Sequence, residues 1–299
     1  MCRASRGPKE RGVNTRTRRL GLLILAAICV AGCGRAPEPA ATAPLLILIT
    51  NDDGIEAPGI AALAEAFRDL GRVTVVAPRQ QRSGASHAVT TDRAIAVREE
   101  EREGQRWIAV DAVPATCVRL GVEALLPEKP DLVLSGINRG ENLGTVTFYS
   151  ATVAAAREAA FLGIPAVAVN LAAGDDEDYG PAAALVARIV RVLGRKGFAP
   201  GTLLNINVPA LPRERWRGLR VTRQDTRAPV DIFNKTVLAD GSVEFRPHWE
   251  KLGPGAPGTD VWAVRNGYVS VSIFGFDQSA AVPPAAFAAL KRLESLPIQ

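Results

Sequence analysis

Between residues 45 and 209 the chain alternates strand-length apolar runs with helix-length amphipathic ones, and few architectures accept that pattern. "LLILIT" (45–50), "RVTVVAP" (72–78), "PDLVLSG" (130–136), "IPAVAVN" (164–170) and "LLNINVP" (203–209) are short runs rich in apolar and β-branched residues. Runs of this kind read as strands buried on both faces. Between the first two, "APGIAALAEAFRDLG" (57–71) reads as an amphipathic helix opened by a proline and closed by a glycine. Further helices are predicted from about Ser150 to Leu162 and over "AAALVARIVRVLG" (182–194). Strand and helix at these spacings predict an α/β fold: a doubly wound, Rossmann-like, mostly parallel sheet in three α/β/α layers.

Beyond residue 219 the texture changes. "LRVTRQ", "VDIFNKTVLADGSVEFRP" and "DVWAVRNGYVSVSIFG" read as alternating strands, and Asp240-Gly241 has the composition of a two-residue hairpin turn. A last helix is predicted over "PPAAFAALKRLES" (283–295). The expected division is a catalytic core over 45–218, then a β-hairpin-rich extension with a C-terminal helix over 219–299.

The start of the chain is different in kind. Residues 1–32 carry seven Lys or Arg against Glu10 alone, and the formal charge of +5 less this +6 leaves −1 for the rest. The body is therefore nearly neutral, and no nucleic-acid polymer is expected as a partner. The basic start leads into "LGLLILAAICVAGC" (20–33), too short to span a bilayer and built like a secretory signal. Its end, Val30-Ala31-Gly32-Cys33, resembles a bacterial lipobox, which makes Cys33 the expected lipidation site and new N-terminus. An ordinary signal peptide with a chance cysteine is the alternative. "GRAPEPAATAP" (34–44) reads as a Pro/Ala tether, so that 1–32 is signal and 33–44 tether. The expected location is the bacterial cell envelope, anchored to a membrane by the N-terminal lipid. Of the four cysteines only Cys117 would then remain as a thiol, so no intrachain disulfide is expected.

Where "LLILIT" ends, Asn51-Asp52-Asp53-Gly54 places two carboxylates side by side. All four residue types favour turns, so a plain polar turn is one reading. Neighbouring carboxylates also repel, which raises a pKa or calls for a cation. In open α/β sheets, ligands bind outside the carboxyl ends of the strands. Three more segments belong at strand ends: "APRQQRSGASHAVT" (77–90) with Ser83 and His87, "SGINRGENLG" (135–144) with Asn138 and Asn142, and "YSATVAAAREAA" (149–160). In the last, Ser150 or Thr152 can cap a helix whose free N–H groups and positive dipole end suit a phosphate. The donors are all oxygen, which favours a hard divalent cation over zinc. Cation and phosphate seat together point to phosphate-ester chemistry.

In this order, "ILITNDDGIEAPGI", "VVAPRQQRSGASHAVT", "SGINRGENLG" and "YSATVAAAREAA" resemble the signature segments of the SurE family of metal-dependent 5′-nucleotidases; "TDVWAVRNGYVSVS" (259–272) is similar to a family strand. The resemblance implies a nucleoside monophosphate substrate and a divalent cation, Mg²⁺ or Mn²⁺, held by Asp52, Asp53, Ser83 and Asn138. It also implies that Asn142, with Ser150, Ala151 and Thr152 at the helix start, holds the phosphate, and that Asn51 shapes the loop and touches the ligand. Asp52 or Asp53 would orient or deprotonate the attacking water, and His87 is a candidate for proton transfer. A second subunit is implied as the partner of the late hairpin, giving a homodimer or homotetramer. The chain departs from the family at Ala151, where glycine is usual, and at "SIFGFDQSA" (272–280), which replaces a proline-containing end. A response-regulator receiver would need an acceptor aspartate where Gly136-Ile137-Asn138 stands, and a haloacid-dehalogenase-type phosphatase would need Asp-x-Asp in place of Asp52-Asp53. The reading from another class is a lipoprotein that binds nucleotide or phosphate without turnover.

Overall fold

The structure, a computed structural model, describes residues 44–174, 177–194, 197–228, 230–250 and 252–277. The signal segment, Cys33, nearly all of the tether and the C-terminal helix expected at 283–295 lie outside them. Eleven strands and five α-helices follow one another in the described chain: β1 (Leu45–Thr50), α1 (Pro58–Phe67), β2 (Gly71–Pro78), β3 (Val97–Arg102), β4 (Gln105–Val110), α2 (Pro114–Leu120), β5 (Leu132–Arg139), α3 (Ala151–Phe161), β6 (Ala166–Leu171), α4 (Tyr179–Leu193), β7 (Thr202–Val208), β8 (Leu219–Thr222), β9 (Val230–Val237), β10 (Val243–Glu250), α5 (Asp260–Arg265) and β11 (Val269–Gly275).

Nine strands form one sheet in the order β3-β4-β2-β1-β5-β6-β7-β11-β8. From β4 to β7 every neighbouring pair is parallel. The edges are mixed, β3 running antiparallel to β4 and β11 antiparallel to β7. The period of two explains why the inner strands are apolar throughout: Ile47 and Ile49 enter the core on one face, Leu48 the core on the other. The first core takes α1 and α4 through Ile60, Leu63, Phe67, Ala182, Val186 and Val190. Cys117 and Val118 of α2 and Val153, Ala156 and Ala160 of α3 fill the second. Helices α1 and α4 cover one face of the sheet and α2 and α3 the other, which is the three-layer arrangement expected. Phe67 is fully buried, and Phe67→Ala would cost about 3–5 kcal/mol through lost burial and the cavity left behind.

Three expectations are corrected. The boundary drawn at 218/219 runs through a single sheet, because β8 and β11 close the edge beside β7. Only β9 and β10 stand apart, as a two-stranded ribbon. Within "DVWAVRNGYVSVSIFG" the first half is the helix α5, whose Thr259 cap accepts from the Trp262 N–H and whose Val261, Ala263 and Val264 are buried. Its alternation of apolar residues is too short to tell strand from helical turn. The hairpin loop is one residue longer than expected, Leu238 bonding Ser242 around Ala239-Asp240-Gly241, with Gly241 at φ +84°. That is the three-residue loop whose last residue must be left-handed.

The sheet's connections reverse between β1 and β5. From β1 the chain moves to β2 and β4 on one side, then returns to build β5, β6 and β7 on the other. The crevice outside the carboxyl ends of β1 and β5 is thus the topological switch point, where ligands bind in such sheets.

Candidate functional site

Asn51-Asp52-Asp53-Gly54 follows β1 directly into that crevice. The turn is fixed by Asn51 Nδ2, which donates to the Gly54 carbonyl at 2.8 Å, while Gly54 itself sits at φ +100°, open to glycine and costly for most others. The start of α1 can lie against β5 only because Gly59 has no side chain; a Cβ there would stand 2.2 Å from the Ile137 carbonyl oxygen.

Asp52 is 3% exposed and accepts the Thr152 hydroxyl at 2.5 Å. Burial pushes its carboxyl up to about 6; the Thr152 hydrogen bond opposes this and the neighbouring Asp53 charge adds to it. Asp53 is less enclosed, and its Oδ2 accepts the Arg139 backbone N–H at 3.1 Å. Burial raises this carboxyl too, against that hydrogen bond and the Arg139 charge. The arginine's own guanidinium is paired with Glu177 at 2.7 Å. Two adjacent carboxylates with raised affinity for protons form a site short of positive charge.

The other expected segments meet them. The Arg82 N–H donates to the Asp52 carbonyl at 2.7 Å, which sets the exposed Ser83 beside the pair. Asn138, at the irregular end of β5, turns its amide NH2 to the Gly140 carbonyl at 2.8 Å and so leaves its carbonyl oxygen for another partner. Ser150 caps α3, accepting the Val153 N–H at 3.1 Å, and Ala151 and Thr152 form the first turn. Ala151 is wholly buried with its side chain in the interior. Asn142 lies in the loop before this helix with its amide bonded to Asn170 at 2.6 Å.

His87 is engaged elsewhere. Its Nε2 pairs with Glu158 Oε2 at 2.8 Å and its ring stacks on Phe161, both in the second half of α3, whereas Asp52 is held at the first turn. Burial alone would raise the Glu158 carboxyl, but the hydrogen bonds from His87 and Arg119 hold it below the usual range. His248 lies on β10 in the separate ribbon.

Two sets of residues were not read from the sequence. Asn170 and Asn207, near the ends of β6 and β7, and Asn205, in the middle of β7, are buried and bind Asn142. Their signal was present, since asparagine is depleted inside strands and three of them interrupt apolar runs. Asp260, fully buried, accepts the N–H groups of Gly144, Asp225 and Val261 at 2.8, 2.9 and 2.8 Å. Burial raises this carboxyl and the three N–H groups oppose it. It anchors the far end of the Asn142 loop.

The donor set suits a hard cation. Among the described residues no three His, Cys, Asp or Glu side chains cluster to hold a metal, so a cation here would rest on two carboxylates and neutral oxygens. Magnesium and manganese take such ligands with retained waters. Buried Asn51 Oδ1 has no hydrogen-bond partner among the described residues, nor do Thr50 Oγ1 and Ser135 Oγ on the paired ends of β1 and β5. Such orphaned oxygens near the acidic pair are acceptors that a ligand or an ordered water can meet.

Comparison with known proteins places the chain in a family. Residues 47–231 match the family model described as Survival protein SurE. The 5′-nucleotidase SurE of Geobacter metallireducens is 43% identical over 244 residues, spanning 77% of this chain and 91% of the relative. The 5′/3′-nucleotidase SurE of Cronobacter sakazakii is 45% identical over 240 residues, spanning 78% and 91%. Among solved structures, the crystal structure of the SurE protein from Aquifex aeolicus superposes with a TM-score of 0.73 at 39% identity, covering 83% of this chain and 99% of that one.

Proposed function

This chain belongs to the SurE family of survival proteins, and from that premise we propose how its switch-point crevice performs phosphoester hydrolysis. It is a phosphomonoesterase that converts nucleoside monophosphates to nucleoside and phosphate, as the nucleotidase relatives are named to do. The observation that carries the assignment is the meeting of Asp52 and Asp53 with the Ser150-capped start of α3 at one end of the sheet.

Asp52, Asp53, Ser83 and Asn138 would hold a divalent cation, Mg²⁺ or Mn²⁺ by its preference for oxygen. When bound, such an ion polarises the phosphoryl group and acidifies an attacking water. The chain's own residues do the rest. The positive end of α3, with Ser150, Ala151 and Thr152, offers the phosphate a fixed dipole, and Asn142 offers an amide donor from the adjoining loop. Asn51 keeps the acidic turn in shape. Asp52 and Asp53 orient the water, and one of the two is the proposed acceptor of its proton. His87, bound to Glu158, is left out of this proton transfer. Both 5′ and 3′ esters are proposed substrates.

The test is phosphate release from 5′- and 3′-monophosphates with and without added Mg²⁺ or Mn²⁺. Turnover abolished by chelation and restored by either ion is expected. Tight nucleotide binding with no phosphate released would instead favour the binding-protein reading.

Two further features are proposed. Lipidation of Cys33 would fix the enzyme to a membrane of the cell envelope; the support is the lipobox-like Val30–Cys33 and the tether after it. Among the described residues no helix is long and apolar enough to cross a membrane. Association into a homodimer or homotetramer is supported by the β9–β10 ribbon. On it Phe233, Val237, Val243 and Phe245 share one face by register and are all exposed, Phe233 and Phe245 at 59% each. A two-stranded ribbon is marginal alone, and an exposed apolar face of this kind suits a partner subunit.

A further inference from the structure

We propose that Asn170, Asn205 and Asn207 are positioning residues that lock the backbone and the amide of Asn142 in one orientation, so that a single Asn142 side-chain proton faces the phosphate. The inference rests on the reading above that Asn142 contacts the phosphate.

Three of these asparagines have no exposed surface and Asn142 is 7% exposed. An amide out of water is costly unless every strong donor and acceptor is matched. Here most of them are matched to one another. The Asn142 N–H donates to Asn207 Oδ1 at 2.9 Å, and the Asn142 carbonyl accepts from Asn205 Nδ2 at 2.9 Å and Asn207 Nδ2 at 3.2 Å. The Asn142 side chain donates through Nδ2 to Asn170 Oδ1 at 2.6 Å. Asn170 Nδ2 in turn donates to Asn205 Oδ1 at 2.8 Å and to the Ile206 carbonyl at 2.9 Å.

The direction of each amide is forced, since a backbone carbonyl only accepts and a backbone N–H only donates. The Ile206 carbonyl requires the NH2 of Asn170, so the oxygen of Asn170 is what meets Asn142. The Asn142 carbonyl requires the NH2 of Asn205, which turns the Asn205 oxygen to Asn170. The Asn142 N–H requires the oxygen of Asn207. None of Asn170, Asn205 and Asn207 can flip without breaking a bond to the main chain, so their orientations are fixed, and the Asn170 oxygen then fixes that of Asn142. Asn142 must present its nitrogen to Asn170, and its second amide proton is left over. A donor fixed before substrate arrives costs no reorganisation when charge develops on the phosphoryl oxygens.

The strands supply the geometry. Asn170 and Asn207 are register partners across β6 and β7, and Asn205 lies two residues before Asn207 on the same face. The loop that carries Asn142 is thus tied to the rigid sheet at this point and to Asp260 at Gly144.

The experiment is a double-mutant cycle on the full chain loaded with Mn²⁺, using Asn142→Ala, Asn170→Ala and both together. It reads kcat and KM for a nucleoside monophosphate and, by calorimetry, the affinity for inorganic phosphate, which needs no turnover. Asn170→Ala is expected to lower kcat about tenfold or more with KM within about threefold, and to weaken phosphate binding. In the Asn142→Ala background the same change should do almost nothing further. Asn170→Ser, which keeps a hydroxyl that can accept from Asn142 and donate onward, should recover part of the loss and serves if the alanine variant does not fold. Losses that multiply across the cycle, with Asn142→Ala alone impaired, would overturn the relay and leave the phosphate seat standing. Full activity and phosphate affinity in Asn142→Ala would overturn the seat assignment, and the relay with it.

Discussion

Thr152, in the first turn of α3, donates its hydroxyl to Asp52 Oδ1 at 2.5 Å, joining positions a hundred residues apart in the chain. The bond fastens the start of α3, the proposed phosphate seat, to the strand end that carries the acidic pair. It also leaves a carboxylate in a place where its charge is poorly solvated.

A pH dependence of stability follows. The Asp52 carboxyl is pushed from 3.8 up to about 6. Across that window the folded, metal-free protein keeps a proton that the unfolded chain has released, so stability falls as pH rises. The shift corresponds to about 3 kcal/mol of stability present below the lower value and absent above the upper one. Asp52→Asn removes the buried charge while keeping an acceptor for Thr152. In chelator at about pH 8 the variant should exceed wild type by up to that amount in urea unfolding, and by little near pH 4. An equal difference at both pH values would assign the titration to another group.

Asp53→Asn should lower phosphatase activity by about two orders of magnitude or more and weaken Mn²⁺ binding, because a cation site of two carboxylates loses half its charge. Its far-UV spectrum and melting temperature should stay close to wild type. Calorimetric titration with Mn²⁺ and a phosphate-release assay decide the matter. Full activity in this variant would remove Asp53 from the site.

Cation binding should itself be proton-linked. A ligand that needs Asp52 ionised competes with its proton, so Mn²⁺ affinity is expected to decline as pH falls below about 6. The increase in melting temperature on adding Mn²⁺ should therefore be larger at about pH 7.5 than at about pH 5. An equal increase at both would contradict the link.

For assembly, Phe233→Lys with Phe245→Lys places charge on the apolar face of the β9–β10 ribbon. Light scattering on a soluble form lacking residues 1–44 should give a smaller particle for this double variant than for wild type. The residues proposed to hold the cation lie on other elements, so Mn²⁺ binding should survive. A wild-type protein that is monomeric at micromolar concentration would show the ribbon face to be unused.

Lipidation is tested by Cys33→Ser. Incorporation of a fatty-acid probe should vanish in the variant and the protein should no longer be retained by lipid in the membrane fraction. Unchanged labelling would refute the assignment.

How much of this was legible beforehand depends on how local each determinant is. A strand buried on both faces must be apolar at every position, so "LLILIT", "PDLVLSG" and "IPAVAVN" announced β1, β5 and β6, and with them the doubly wound sheet. The Ser150 cap was legible because capping is settled within four residues. From the order of the strands, the residues just after them had to converge, which brought Asp52, Asn138 and Asn142 together on paper. The missed elements are those whose pattern is set by distant neighbours. β3, "VREEER", is a charged edge strand whose only sheet partner among the described residues is β4, and its run of charges does not favour a strand. Likewise β8 and β11 looked like an extension until pairing with β7 made them the sheet's edge. Asn170, Asn205, Asn207 and Asp260 stood in view as polar residues in apolar company, yet the loop residues they hold, Asn142 and Gly144, lie 28 to 116 positions away. Hydrogen-bond partners at that separation are fixed by the packing of the whole chain. The sequence by itself therefore determined which residues reach the crevice, and only the tertiary structure decided which of them are held there, in which orientation, and that His87 is bound to Glu158 instead.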